Sequence, residues 1–154
     1  MTFIDQRPGM STATVRLLSV LLLALFVSTP LTSSDAQELV DLQLLAVSAT
    51  EASLVADQIG AIASSESGDA EALQRFRGIA DEAATLLSEI GSASLQGEGL
   101  AATRPLFEQT AALAHQAMRV GRAGGISIEP AVLDEFARRI TELEAHYYPR
   151  PQSP

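Results

Sequence analysis

Four stretches of this chain place apolar residues alternately three and four positions apart. In the first, Leu42, Leu45, Ala49, Ala52, Ala56, Ile59 and Ala63 follow that rhythm, and in the second Leu73, Phe76, Ala80, Ala83, Leu87 and Ile90 do. The last has Leu133, Phe136, Ile140, Leu143 and Tyr147. A 3, 4 spacing puts every such residue on one side of an α-helix, and that stripe must be buried against something. Between the second and last stretches, Leu106, Phe107, Thr110, Ala111, Leu113, Ala114, Ala117, Met118 and Val120 form one broader face. No segment shows the period of two, or the β-branched enrichment, of a strand.

Punctuation residues set the expected bounds. Ser65 to Asp69 interrupts the first pattern, and Asp69 can cap the second helix with its carboxylate. Gly91 is placed to end that helix, with Ser92 to Gly99 as a loop. Pro105 suits the first turn of the third helix, and Gly121, Gly124 and Gly125 stop it. Pro130 opens the fourth and Pro149 closes it. The expected helices cover about 38–64, 69–91, 103–122 and 129–148. The expected fold is all-α, an antiparallel four-helix bundle made of residues 37–154 as one domain.

Ahead of the helices lies Leu17 to Val27 (LLSVLLLALFV), an eleven-residue apolar run preceded by Arg7 and Arg16 and followed by Pro30. This is the three-part layout of a secretory signal peptide, and eleven apolar residues are too few to cross a bilayer. Small residues at Ser34 and Ala36 place the cut before Gln37, so residues 1–36 are expected to be removed and no stable membrane anchor to remain. Met10 competes with Met1 as initiator, because it gives a more typical leader length. The expected destination is the periplasm or the extracellular space.

The 118 residues from Gln37 onward carry eight Arg and seventeen acids, so the net charge of −9 sits on the folded part. That sign disfavours nucleic acid as a partner, because phosphate has to be met by cations. Cys is absent, which excludes disulfides, thiolate metal sites, a catalytic thiol and thioether-attached haem.

Beyond the acids, the folded part offers two histidines and one methionine for chemistry. His115 falls at the edge of the third helix's apolar face, beside Glu108, Arg119 and Arg122. His146 lies about a quarter turn from the fourth seam, with Glu142 one turn earlier to orient it or to share a metal. The Glu-x-x-His spacing of di-iron bundles does not occur, since Ala112 and Leu143 stand three before the histidines. Glu71 with Arg75, Asp134 with Arg138 and Glu135 with Arg139 read as solvated i,i+4 ion pairs. Gly91 to Leu95 lacks the final glycine of a nucleophile elbow, and Gly121 to Ser127 lacks the Gly-Lys-Ser/Thr of a phosphate loop. No enzyme is expected.

Glu144-Ala-His-Tyr-Tyr-Pro-Arg150 is similar to the end of cytochrome b562-type bundles. That resemblance implies a noncovalent haem held by His146 near the end of the fourth helix, paired with Met118 or His115. The family's methionine ligand comes from the first helix, and 38–64 contains none. The run from Val55 to Leu73 is loosely similar to the helical hairpin of extracytoplasmic sensory domains of the nitrate-sensor and pilus-chemoreceptor type, which implies ligand or partner sensing. The leading expectation is a non-enzymatic binding, sensory-type or structural role toward an unidentified protein or small ligand. A haem- or metal-binding electron carrier is the alternative. Leu44, Val47, Leu54 and Val55 flank the first seam and suggest a homodimer face.

Overall fold

The computed structural model describes residues 33–65, 68–123 and 126–149. The leader run, Met1 and Met10 lie outside them. Four helices and no strand occur among the described residues: α1 (Ser33–Ser65), α2 (Ala70–Leu95), α3 (Leu100–Arg122) and α4 (Pro130–Tyr147). α1 packs on α2 and α4, and α3 packs on the same two. Each contact runs in opposite chain directions. Thr50 lies level with Gly91 while Gly60 meets Asp81; Phe107 and Thr103 meet Tyr147 while Gly121 meets Leu133.

The seams supply the core. Leu45, Ala49, Ala52, Ala56, Phe76, Ala83, Leu87, Ile90, Phe136 and Leu143 are all at most 1% exposed. Ile126 and Ile128, in the segment between α3 and α4, are buried too, which the glycine-rich reading of that turn does not foresee. Among the described residues the buried polar side chains Ser94, Thr103 and Thr110 all hydrogen-bond within the protein, and no buried polar side-chain atom lacks a partner.

Two helix ends and the role of one glycine depart from the sequence expectation, each for a physical reason. α2 does not stop at Gly91. Its backbone continues to Leu95, because Gly91 faces α1: a Cβ there would come within 3.3 Å of Thr50 Oγ1 and 3.5 Å of the Ala46 carbonyl. The stop is Gly97, whose φ of +86° allows the closing pair of bonds, Glu98 N–H to Ala93 O (2.9 Å) and Gly97 N–H to Ser94 O (3.1 Å).

Pro105 is inside α3 and not in its first turn, since the helix starts at Leu100. The carbonyl of Ala101 thereby loses its helical donor, but Ala101 and Pro105 are both exposed and water can replace it. Gly121 belongs to α3 and does not terminate it. A Cβ on Gly121 would sit 2.8 Å from Leu133 Cδ1, so the missing side chain lets α4 approach. Asp69 and Pro130 take their expected places: the Asp69 carboxylate accepts from Glu71 N–H at 3.0 Å, and Pro130 occupies the first turn of α4.

α1 is the outlier. At 33 residues it starts four residues ahead of the expected cut at Gln37, and among the described residues it alone is long and apolar enough to cross a membrane by length and composition. A core helix meets the same test, and one side of α1 is core. Its opposite side is apolar as well: Val40, Leu44, Val47 and Leu54 are each about half exposed. Val55, expected on that flank, is partly buried against the core.

Candidate functional site

The densest group of chemically capable side chains spans the seam between α1 and α4. From α1 come Ser48 and Glu51; from α4 come Glu135, Arg138, Arg139, Glu142 and His146. Arg139 Nη1 donates to Glu51 across the seam, and its Nε donates to Glu135 at 2.9 Å. Arg138 Nε donates to Glu135 at 2.9 Å, and its Nη1 donates to Glu142. Positions 135, 138, 139 and 142 fall on one face because they are three and four apart, which is why one helix can present the whole set. The hydrogen bonds from Arg138 push the Glu135 carboxyl down to about 2; lost hydration opposes this, and the Arg139 hydrogen bond and the charges of both arginines add to the lowering.

His146 joins this group from the last turn of α4. Its Nε2 and Ser48 Oγ share a hydrogen bond of 3.2 Å. Glu142, expected to orient the ring, is instead held by Arg138 and Arg139. A serine beside an imidazole is the start of a nucleophilic pair, but catalysis also needs a third group on the other ring nitrogen and donors aimed at a developing oxyanion. Ser48 and His146 both sit within helices, where neighbouring backbone N–H groups are spent on the helices' own bonds. The arrangement can hold α1 against α4.

His115 and Met118 lie elsewhere. With Arg119, Arg122 and Ala123 they line an open depression of about 380 Å³ on α3. Arg122 also reaches Asp134 at 3.6 Å, so Asp134 is not the partner of Arg138. Tyr147 contacts Thr103 and Phe107, which puts His146 level with that part of α3. His115 is eight to twelve residues farther along, roughly 12–18 Å at 1.5 Å per residue. Two axial ligands of one iron stand about 4 Å apart, twice a metal–nitrogen bond. The structure therefore brings neither His115 nor Met118 to His146, and the haem pairs suggested by the sequence do not form in this arrangement. No group of three His, Asp or Glu side chains converges as a metal site among the described residues.

A second depression, about 460 Å³ and equally open, runs between α1 and α2. Ser53, Asp57, Asp81, Ala84, Thr85, Ser88 and Glu89 line it. Its ionisable lining is entirely acidic. Both depressions are open to solvent, unlike the enclosed pockets that small molecules usually occupy.

Tyr147 and Tyr148 complete the inventory. Tyr147 stacks on Phe107 at 4.6 Å and donates to Thr103 Oγ1 at 2.9 Å; burial pushes its phenol upward, with the Thr103 contact opposing. Tyr148 donates to Glu108 at 2.9 Å, and that carboxylate raises it, while Arg104 lies 5.4 Å over its ring.

Sequence reasoning named His146 but missed Ser48, whose contact spans 98 positions and leaves no local signal. No protein-family model matches this chain, and neither a curated protein nor a solved structure shows significant similarity to it.

Proposed function

We propose that the chain is an exported protein whose four helices close into an antiparallel four-helix bundle, with a binding or structural role and no catalytic one. The ring of pairwise contacts, α1 on α2, α2 on α3, α3 on α4 and α4 back on α1, supports the bundle. Export rests on the basic, apolar and small-residue succession of residues 1–36. The periplasm or the extracellular space is the destination this implies. Cutting before Gln37 would trim only the first turn of α1, whose Ser33, Ser34 and Asp35 are exposed.

The observation that carries the binding role is the outer side of α1. Ser48, Glu51, Arg139 and His146 are engaged in contacts between α1 and α4, whereas Val40, Leu44, Val47 and Leu54 stand 48–54% exposed on a helix that is already packed on its other side. A line of large apolar side chains facing water is what interaction surfaces expose.

Expressing the full chain in a bacterial host, fractionating the cells and measuring intact mass tests the export half. The expected product starts at Gln37 and appears in the periplasm. A product retaining Met1 or Met10 in the membrane or cytosolic fraction overturns it.

A further inference from the structure

We propose that the outer stripe of α1 is the docking site of a partner's amphipathic helix whose apolar face is edged with Lys or Arg. The proposal rests on the binding role above and names the chemistry of its partner.

Val40, Val47 and Leu54 are seven residues apart, and Leu44 falls between the first two, so the four side chains stand in one line along α1. From Val40 to Leu54 that line is about 21 Å long at 1.5 Å per residue. Four turns is the span over which a partner helix makes its i, i+3, i+4, i+7 contacts. Asp41 and Glu51 are the charged residues within the span of the line; both are acidic, and Arg139 already holds Glu51.

Charge selects among possible occupants. α1 carries Asp35, Glu38, Asp41, Glu51 and Asp57 and not one basic residue. On the α2 side the stripe borders the depression lined by Asp57, Asp81 and Glu89. On the α4 side, Arg138 and Arg139 are matched by Glu135, Glu142 and Glu51, three carboxylates to two guanidiniums. Both edges of the stripe are thus net acidic. A second copy of the chain would bring the same carboxylates against these, and an anionic bilayer would bring phosphates. A helix with apolar residues in the middle and cations at its edges meets the stripe and both borders at once.

The test uses the protein recovered after export of the full chain, and two fluorescein-labelled 18-residue peptides. One has a leucine face edged with lysines; its twin has the same leucines edged with glutamates. The lysine peptide is expected to bind in the micromolar range by fluorescence anisotropy, and its glutamate twin not to bind. Leu44→Gln with Val47→Gln, which keeps helix-forming side chains at exposed positions, is expected to weaken binding at least tenfold with an unchanged circular dichroism spectrum. Asp57→Asn with Glu89→Gln is expected to weaken it several-fold and to flatten its dependence on salt.

Equal binding to the Leu44/Val47 variant overturns the proposal, since a cationic peptide held by charge alone ignores the stripe. So does equal binding of the glutamate twin. A mass that doubles with concentration, and returns to monomer in the Leu44/Val47 variant, gives the stripe to a second copy instead. Sedimentation with phosphatidylglycerol vesicles that the same variant abolishes gives it to lipid. A periplasmic protein starting at Gln37 that ignores both peptides sinks this inference and leaves export standing; retention of residues 1–36 sinks export whatever the peptides do.

Discussion

The two helix pairs of this fold are built from opposite materials. Between α1 and α2 the buried residues are mostly small: Ala46, Ala49, Ala52, Ala56 and Ala63 on one side, Ala80, Ala83 and Ala84 on the other, with Gly91 against Thr50 and Ser53 donating to the Ala84 carbonyl at 3.0 Å. Between α3 and α4 the contact is made by rings and branched chains, with Phe107 stacked on Tyr147 and Leu133 lying over Gly121. Alanine faces let backbones approach, so that contact is spread thinly over many residues. Rings concentrate it in a few. The first pair should tolerate truncation and resist enlargement; the second should do the reverse.

The largest expected effect is therefore on the large-residue side. Phe136→Ala, at a side chain 1% exposed, should cost about 3–5 kcal/mol through lost transfer energy and the cavity left behind. Ala52→Gly in α1 should cost only about 1 kcal/mol, the helix-propensity difference. Urea denaturation of both variants checks the contrast. Equal losses would erase the distinction between the two pairs.

Enlargement reverses the order. Ala52→Leu has no space to enter, because Ala52 is fully buried, and should destabilise by about 1–3 kcal/mol through displaced backbones and strained rotamers. Conservative enlargement at a half-buried α3 position such as Ala111 should stay well below that, and thermal unfolding monitored by circular dichroism compares the two.

How much of this could be read beforehand follows from which interactions are local. The 3, 4 spacing is a property of neighbouring turns, and seam residues of α1, α2 and α4 are buried with few exceptions, Leu73 being half-buried. The Asp69 cap and the Pro130 start were legible for the same reason. Gly91 and Gly121 misled because glycine has two uses: at these positions it makes room for a neighbouring helix, a fact set by chain 12 or more residues away. The site was less legible still. Glu135 with Arg139 was readable as an i,i+4 pair, but Arg139 with Glu51 and Ser48 with His146 depend on α4 returning beside α1. His146 drew attention as a scarce residue type, and its partner could not.

A smaller effect probes the polar link inside the ring-built pair. Tyr147→Phe removes the hydroxyl that donates to Thr103 and should cost about 1 kcal/mol, the usual net worth of one such bond, while the ring stays stacked on Phe107. A loss as large as that of Phe136→Ala would mean that the hydrogen bond, and not the ring, organises α3 against α4.

The smallest effect concerns the clamp that ties one pair to the other. Glu135 titrates at about 2 in the folded protein because Arg138 and then Arg139 hydrogen-bond its carboxylate; released by unfolding, it returns to the ordinary value of 4.5. Between those values the unfolded chain binds more protons than the folded one, so stability is fully present above about pH 4.5 and falls as pH drops toward 2. Glu135 is solvent-exposed enough for salt to screen the effect, so added salt should shrink it. In Glu135→Gln, urea midpoints measured from pH 5 to pH 2.5 should decline less steeply than in the parent, with other carboxylates supplying the remaining slope. Identical slopes would mean that Glu135 adds nothing to the Arg139–Glu51 contact across the seam, and that the arginines are positioned on α4 by Glu142 without it.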